Sequence, residues 1–429
     1  MRILKRFFAL SLAALILMIP SSVWADQGTA SLEERLSKLE AENETLKSRI
    51  VVLEQSAASK EIKSTPAQPV TPEKPKPEAV MLDKIGTKLK INGRWATTFY
   101  KSGQGGSFPN GSFEVPDAKI QLIFNPDDIN TLVSRFNLNN AAFNNVDFFY
   151  IDSKLFQTRL KDSPYTLESR IGRFKIPFGE ATYWDNPVGS SVASGSATKI
   201  NGNDEGVQLS GSIGKEKPLK WYFGLMNGNS GTGSDNTNAK AFIGKLSYSP
   251  VDPLRLSASI YNTGNLKTAA SDISVAGLTA RPGNATNWDR TLWELDARYD
   301  FEKGKVLDPP SYADSKAYLQ AAFGQMIDDA RNVPDREGSY GFIEGLYNFT
   351  PKYYGAMRYS LISLWHGYFD TLNGANGTTQ YDRYSLAVGY RVSDKTIVKL
   401  AYDFNFTNTM NGGDDPTDDL LTAAIVSYF

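Results

Sequence analysis

Residues 87–100, TKLKINGRWATTFY, alternate between apolar and polar side chains with a period of two residues. Leu89, Ile91, Trp95 and Phe99 stand at odd positions, and the even positions are mostly lysine, arginine, asparagine or threonine. Successive side chains of a β-strand point to opposite faces. This stretch therefore predicts a strand with one apolar face and one polar face.

The same alternation recurs to the end of the chain, for example in TLWELDARYDF (291–301), RYSLAVGYR (383–391) and TIVKLAYDFNF (396–406). We predict an all-β fold with about sixteen such strands. They begin near residues 88, 115, 131, 146, 164, 204, 219, 240, 254, 290, 315, 339, 353, 381, 395 and 419.

The connections between these strands are of two kinds. Every second one is short, as in NPDDI (125–129), KDSP (161–164) and VSD (392–394), and the others are long and rich in Gly, Asn, Asp and Ser. Short turns at one rim and long loops at the other are typical of a transmembrane antiparallel β-barrel in the outer membrane of a Gram-negative-type bacterium.

A soluble β-sandwich would show the same alternation. Aromatic residues near the strand ends favour the membrane barrel, because such side chains gather at membrane interfaces. They are Trp95, Phe99, Phe124, Tyr248, Tyr299, Phe301, Phe349, Tyr353 and Phe404.

The last predicted strand, LLTAAIVSYF (420–429), places Leu421, Ile425 and Phe429 on one face. We expect it to pair with the first strand, because closing the barrel leaves no unpaired edge in the membrane. An aromatic residue such as Phe429 at this position resembles the signal that the barrel assembly machinery recognises.

The N-terminal stretch predicts a secretory signal peptide over residues 1–25. Arg2, Lys5 and Arg6 lead into an apolar run, and Val23 and Ala25 suit a cleavage site, so the mature chain would begin at Asp26. An uncleaved membrane anchor is the alternative, which the short apolar run disfavours.

Residues 26–56 predict a periplasmic α-helical coiled coil, because apolar residues recur at spacings of four and three. The seam positions are Leu32, Leu36, Leu39, Asn43, Leu46, Ile50 and Leu53. A single amphipathic helix lying on another surface is the alternative. Residues 57–84 are rich in Pro, Lys and Glu and predict a solvated linker, so the barrel would occupy 85–429.

The composition excludes several kinds of site. The chain has no cysteine and a single histidine, His366, so we predict no catalytic, cofactor or metal site. The acidic clusters at 125–129 and 412–419 lack the spacing of a calcium loop, and solvated turns explain them better. With 46 basic and 47 acidic residues, no nucleic-acid partner is expected.

Alternation also assigns charged side chains to the barrel interior. The basic ones are Lys88, Lys90, Arg94, Lys119, Arg135, Lys154, Arg170, Lys220, Lys245, Arg255, Arg298, Arg358, Arg383, Arg391 and Lys399. The acidic ones are fewer, namely Asp152, Glu168, Glu294, Asp296, Glu344 and Asp403. This excess of basic groups predicts a pore that attracts anions, although basic walls could also simply balance acidic loops.

Residues 167–187, LESRIGRFKIPFGEATYWDNP, resemble the Gly-Arg-Phe-Lys-x-Pro-Phe-Gly core of the phosphate-selective porin O and P family. The stretches DEGVQLSGSI (204–213) and GLMNGNS (224–230) are similar to the same family. The predicted N-terminal coil resembles that of the trimeric DcaP-like porins. The resemblance implies a homotrimer of sixteen-stranded channels. It also implies that segment 173–203 folds inward as a constriction loop, with Arg173, Lys175, Glu180 and Asp185 as its charged residues.

Three classes of function agree with these patterns to different degrees. A porin for passive diffusion of small hydrophilic solutes, anionic or neutral, explains every feature. A barrel that encloses an electron-transfer protein, and a structural protein of the outer membrane tethered through its coil, would carry the same strand pattern. An outer-membrane hydrolase would need a nucleophile and a base, for which the lone His366 is poorly suited.

Overall fold

The computed structural model describes residues 88–141, 145–156, 163–180, 189–198, 200–229, 237–301, 315–372 and 375–429. The predicted signal peptide, coil and linker lie outside the described residues, and so does Asp185.

Within these residues the chain forms one antiparallel sheet of nineteen strands. The strands are β1 (Leu89–Ser102), β2 (Ser112–Phe124), β3 (Asn130–Asn137), β4 (Asn145–Ser153), β5 (Tyr165–Lys175), β6 (Ile200–Ile213), β7 (Leu219–Met226), β8 (Ala241–Val251), β9 (Leu254–Asn262), β10 (Ala270–Val275), β11 (Leu278–Ala280), β12 (Trp288–Phe301), β13 (Ala317–Ala330), β14 (Arg336–Asn348), β15 (Tyr353–His366), β16 (Phe369–Leu372), β17 (Ala375–Arg391), β18 (Thr396–Thr409) and β19 (Leu420–Tyr428). A short 3-10 helix spans Asn139–Ala141. No helix in this part of the chain is long and apolar enough to cross a membrane.

Sixteen of the described strands close into a barrel, and β10, β11 and β16 lie outside its ring. Strand β12 pairs directly with β9, and β15 pairs with β17. The ring closes where β1 pairs with β19 from Arg94↔Tyr428 to Ser102↔Leu420. The Phe429 N–H donates to the Gly93 carbonyl at 3.0 Å, and the Gly93 N–H donates to the Phe429 carbonyl at 3.1 Å. The predicted sixteen-stranded antiparallel barrel is confirmed.

The predicted strand starts agree with the structure to within a few residues. The largest differences are at β17, which begins at Ala375 rather than near residue 381, and at β6, which begins at Ile200 rather than near residue 204. Both strands extend toward the end of the barrel that carries the long connections, which we call the long-loop end. The opposite end, with connections such as 125–129 and 392–395, is the short-turn end.

The two faces of the wall differ as the alternation requires. Along β12, Leu295 is 54% exposed on the outward face, whereas Arg290 and Glu294 on the inward face are buried. Outward side chains contact neighbours on the same face, as Trp293 contacts Phe323, yet many of the apolar ones stay largely exposed, so a non-aqueous surrounding suits them.

A hydrophobic core fills part of the barrel interior near the long-loop end. Phe174, Ile176 and Phe178 pack there with Ile273 and Val275, and all five are fully buried. Alternation alone would leave the inward half of every strand facing water. In the structure, two connections fold into the barrel and bury part of its inner face.

Candidate functional site

The connection from β5 to β6 covers residues 176–199, and its described parts, 176–180 and 189–198, run into the barrel. We call these two parts the inward loop. Its first part lies against β8, β9 and β12. The Gly179 N–H donates to Ser259 Oγ at 3.1 Å, and Lys245 Nζ donates to the Gly179 carbonyl at 2.6 Å. Gly179 has a φ of 63°, and a Cβ there would lie 2.1 Å from Glu294 Oε1, so only glycine fits.

The next residue of the inward loop, Glu180, is held by charge and by a hydrogen bond. Its carboxylate lies 3.1 Å from Lys245 Nζ and 3.9 Å from an Arg255 nitrogen. Its backbone N–H donates to Asp296 Oδ1 at 3.1 Å. Lys245 and Arg255 therefore stabilise the position of the inward loop against the barrel wall.

The second described part of the inward loop, residues 189–198, lies against β14 to β18. Arg358 donates to the Ser194 carbonyl at 2.7 Å, and Arg383 donates to the Gly195 carbonyl at 2.8 Å. Lys399 Nζ donates to the Ser190 carbonyl. Three of the inward basic side chains thus bind backbone carbonyls of the same chain.

A second connection, residues 263–287, carries the β10–β11 hairpin and pairs with the start of β6 at Ile273↔Gly202. Arg290 binds this second loop, donating to the Ile273 and Leu278 carbonyls at 3.0 Å each. Asp328 holds Arg290 in place at 2.8 Å and is itself fully buried.

Asp272 in β10 is a buried carboxylate of the second loop. Tyr261 donates a hydrogen bond to it, and the Asp272 N–H donates to the Gly228 carbonyl at 3.1 Å. Burial raises the pKa of Asp272 above its ordinary value of 3.8.

The two loops leave an interior cavity of about 1130 Å³ between the inward loop and the wall formed by β1–β7 and β19. Seven basic and three acidic side chains contribute to its lining. The basic ones are Arg94, Lys119, Arg135, Arg170, Lys175, Lys220 and Lys399, and the acidic ones are Asp117, Glu168 and Asp272.

Ion pairs along β1–β5 order the basic wall of this cavity. Arg94 lies 2.6 Å from Asp117, and Lys119 lies 2.6 Å from Asp147, which also contacts Arg135 at 3.1 Å. These three cations share two carboxylates, so the group keeps a net positive charge.

Aromatic rings support two of the arginines in the cavity wall. The Arg135 guanidinium carbon lies 3.6 Å from the ring centroid of Phe148, and that of Arg170 lies 4.1 Å from the centroid of Tyr150. Arg170 also makes two hydrogen bonds to Asp152, at 2.7 and 2.9 Å. Stacking and ion pairing together fix the direction in which each guanidinium points.

The remaining predicted interior residues lie elsewhere. Arg298 contacts Asp300 at 2.7 Å, and Arg391 donates to the Pro351 carbonyl at 3.1 Å, both near the short-turn end and outside the cavity lining. Lys88 and Lys90 are exposed at the same rim.

The set predicted for the constriction loop needs one correction. Arg173 lies in β5 on the outward face, where it contacts Glu205 at 2.9 Å, because the next residue, Phe174, points into the interior core. Lys175 lines the cavity, and Glu180 lies in the inward loop as described above.

Several acidic residues that were not predicted to face the interior do so in the structure. Asp117 is in phase with Lys119 in β2, so alternation could have located it. Asp147 and Phe148 both point inward, because the register between β3 and β4 shifts at Arg135, and a strict period of two fails there. The basic excess of the interior is therefore smaller than the sequence suggested.

His366 ends β15 and is exposed. Among the described residues, no group of three or more His, Asp or Glu side chains is placed to hold a metal ion.

The arrangement is similar to solved outer-membrane porins, whereas no family model and no curated protein matches the sequence. The outer membrane channel DcaP of Acinetobacter baumannii aligns with a TM-score of 0.54 and 12% identity, over 80% of this chain and 97% of that chain. OmpT of Vibrio cholerae, in its trimer form, aligns with a TM-score of 0.52 and 11% identity, over 80% and 99%. An anion-selective porin from Comamonas acidovorans aligns with a TM-score of 0.51 and 12% identity, over 80% and 99%. At these identities the likeness establishes the fold, a porin-type barrel.

Proposed function

We propose that the protein is an outer-membrane porin that passes small hydrophilic solutes by passive diffusion and prefers anions. The observation that carries the proposal is the charged interior cavity of about 1130 Å³ beside the inward loop. A polar interior inside an apolar outward face is what a membrane channel requires.

The anion preference follows from the cavity wall. Arg94, Lys119 and Arg135 share the carboxylates of Asp117 and Asp147, so positive charge remains along this side. Arginine and lysine in a narrow lumen attract anions, and the ordered guanidinium of Arg170 suits a carboxylate or a phosphate oxygen. Membership of the phosphate-selective porin O and P family is part of this proposal and has the sequence stretch 167–187 as its support.

The inward loop disfavours a barrel that encloses a second protein. Its contacts with β8, β9 and β12 and with β14–β18 occupy part of the lumen with the chain's own residues, including the fully buried Phe178 and Val192. An electron-transfer partner would first have to displace them. The tethered structural protein is a weaker alternative because it gives the cavity no role.

The rest of the proposed organisation follows the usual orientation of such barrels. The short-turn end faces the periplasm, where the coil of residues 26–56 would assist a homotrimer. The trimer form of one structural neighbour supports this assembly.

The test is the reversal potential of single channels in a KCl gradient across a planar lipid bilayer. We expect the wild type to prefer chloride. Replacing Arg94, Arg135 and Arg170 with glutamine removes three positive charges from the cavity wall and should move the reversal potential toward that of potassium. The effect should fade as salt rises, because the Debye length is about 10 Å at 0.1 M.

The matched control is the replacement of Lys90, Arg298 and Arg391 with glutamine. These three basic residues lie near the short-turn end and do not line the cavity. We expect a much smaller shift from this control. A cation-selective wild type, or an equal shift in both triple variants, would contradict the proposal.

A further inference from the structure

The outward face of the barrel carries an apolar groove of about 560 Å³, which we call the outer groove. It crosses β14, β15, β17, β18 and β19. Its outward lining includes Gly345, Gly355, Met357, Leu386, Leu400 and Tyr402.

The depression lies beside two glycines. Gly345 pairs with Met357, so the wall lacks a side chain there while bulky ones surround it. Gly355 pairs with Tyr347 and Val388 and is partly covered by the Phe349 ring, which lies 3.1 Å from where a Cβ would be. Met357 is 61% exposed beside them. The floor is the strand backbone itself, whose polar groups are paired within the sheet.

A cation lies at the end of the outer groove nearest the short turns. Lys316 Nζ lies 5.0 Å from the ring centroid of Tyr347, which is a lining residue. Lys352, in the turn between β14 and β15, is exposed at the same rim. An apolar groove with cations at its interfacial end complements a molecule with a hydrocarbon chain and an anionic head.

We infer that the outer groove binds one acyl chain of a phospholipid from the periplasmic leaflet, with the lipid phosphate at Lys316. The inference rests on the membrane location and orientation in the proposed function. A lipid fits better than a second copy of the chain, because the cations at the groove's end match a phosphate at the membrane interface.

The test counts lipids on the full-length protein in detergent by native mass spectrometry during titration with dioleoylphosphatidylglycerol. We expect the wild type to hold one such lipid per chain after the loosely bound ones are removed. Gly345→Leu should weaken its affinity by roughly tenfold or more, a loss of about 1.4 kcal/mol. A Cβ at residue 345 has its nearest neighbours at 3.9 Å, an ordinary contact, so the strand can accept a side chain at this position of the groove.

Gly244→Leu is the matched control. Gly244 faces outward in β8, and its Cβ would lie 3.5 Å from Ile260 Cγ2, an ordinary contact. We expect this variant to keep the lipid. Lys316→Gln leaves the groove intact and should abolish the preference for phosphatidylglycerol over dioleoylphosphatidylcholine.

Four results would overturn the inference. Equal lipid retention by Gly345→Leu and wild type would show that the outer groove is not a lipid site. If Gly244→Leu weakened lipid affinity as much as Gly345→Leu does, the lipid contact would be general rather than specific to the groove. A change in oligomer mass in Gly345→Leu without lipid loss would assign the groove to a second copy. If Gly345→Leu does not fold, an unchanged lipid preference in Lys316→Gln is by itself sufficient to refute the inference. Conductance of the wild-type preparation tests the channel separately, so the two proposals can fail independently.

Discussion

We predict that a single substitution in the interior core, Phe178→Ala, releases the first part of the inward loop from the barrel wall. Phe178 is fully buried in the interior core, where it packs among residues of both inward-folded connections and of the wall. Phe178→Ala removes its ring and leaves a cavity. Such a change costs about 3–5 kcal/mol when the site cannot collapse.

That cost acts on the loop rather than on the barrel, because the strand ladder does not depend on Phe178. Since about 1.4 kcal/mol corresponds to a tenfold change in an equilibrium constant, the ratio of docked to released loop should fall by roughly two to three orders of magnitude. The hydrogen bonds of residues 189–198 to Arg358 and Arg383 remain, so we expect release of the first part of the loop only.

The assay is single-channel recording at fixed voltage, combined with exclusion of poly(ethylene glycol) of graded size. Phe178→Ala should show a larger mean conductance, more current noise and a larger exclusion limit. Phe323→Ala is the control, because Phe323 is 51% exposed on the outward face of β13 and its loss leaves no interior cavity. A folded Phe178→Ala with the conductance, noise and exclusion limit of wild type would refute the reasoning.

Two further predictions concern pH and assembly. Burial raises the pKa of Asp272, so the docked second loop holds a proton that the released loop lacks. The stability of the docked loop is therefore greatest below about pH 4, and it falls as pH rises through the raised pKa. Hydrogen exchange of residues 263–287 should therefore be faster at neutral pH than in acid beyond the intrinsic rate change. Asp272 is hydrogen-bonded to the Asp204 carboxyl, so Asp272→Asn should reduce the difference, while Asp252→Asn, in an exposed turn, keeps it in full. In the predicted coil, Leu46→Asp places a charge in the apolar seam and should lower the yield of cross-linked oligomer, whereas a change at Lys47, outside the predicted seam, should not. Equal yields would refute a role of the coil in assembly.

The sequence alone determined the barrel, the approximate start of its sixteen strands and, for most of them, which side chains point outward. The cause is that a lipid-facing wall demands an apolar side chain at every second position, as in β12 and β18, and this demand is local. Each strand therefore carries its own signal, and the short and long connections reveal which end is which.

Only the tertiary structure decided which inward charges line the cavity. Arg170 and Arg358 have the same inward phase, yet Arg170 lines the cavity while Arg358 binds the inward loop through Ser194. The difference depends on where a connection far away in sequence comes to rest, and strand alternation carries no information about that. The apolar core around Phe178 has the same origin, since apolar residues in a long connection acquire partners only when the barrel encloses them.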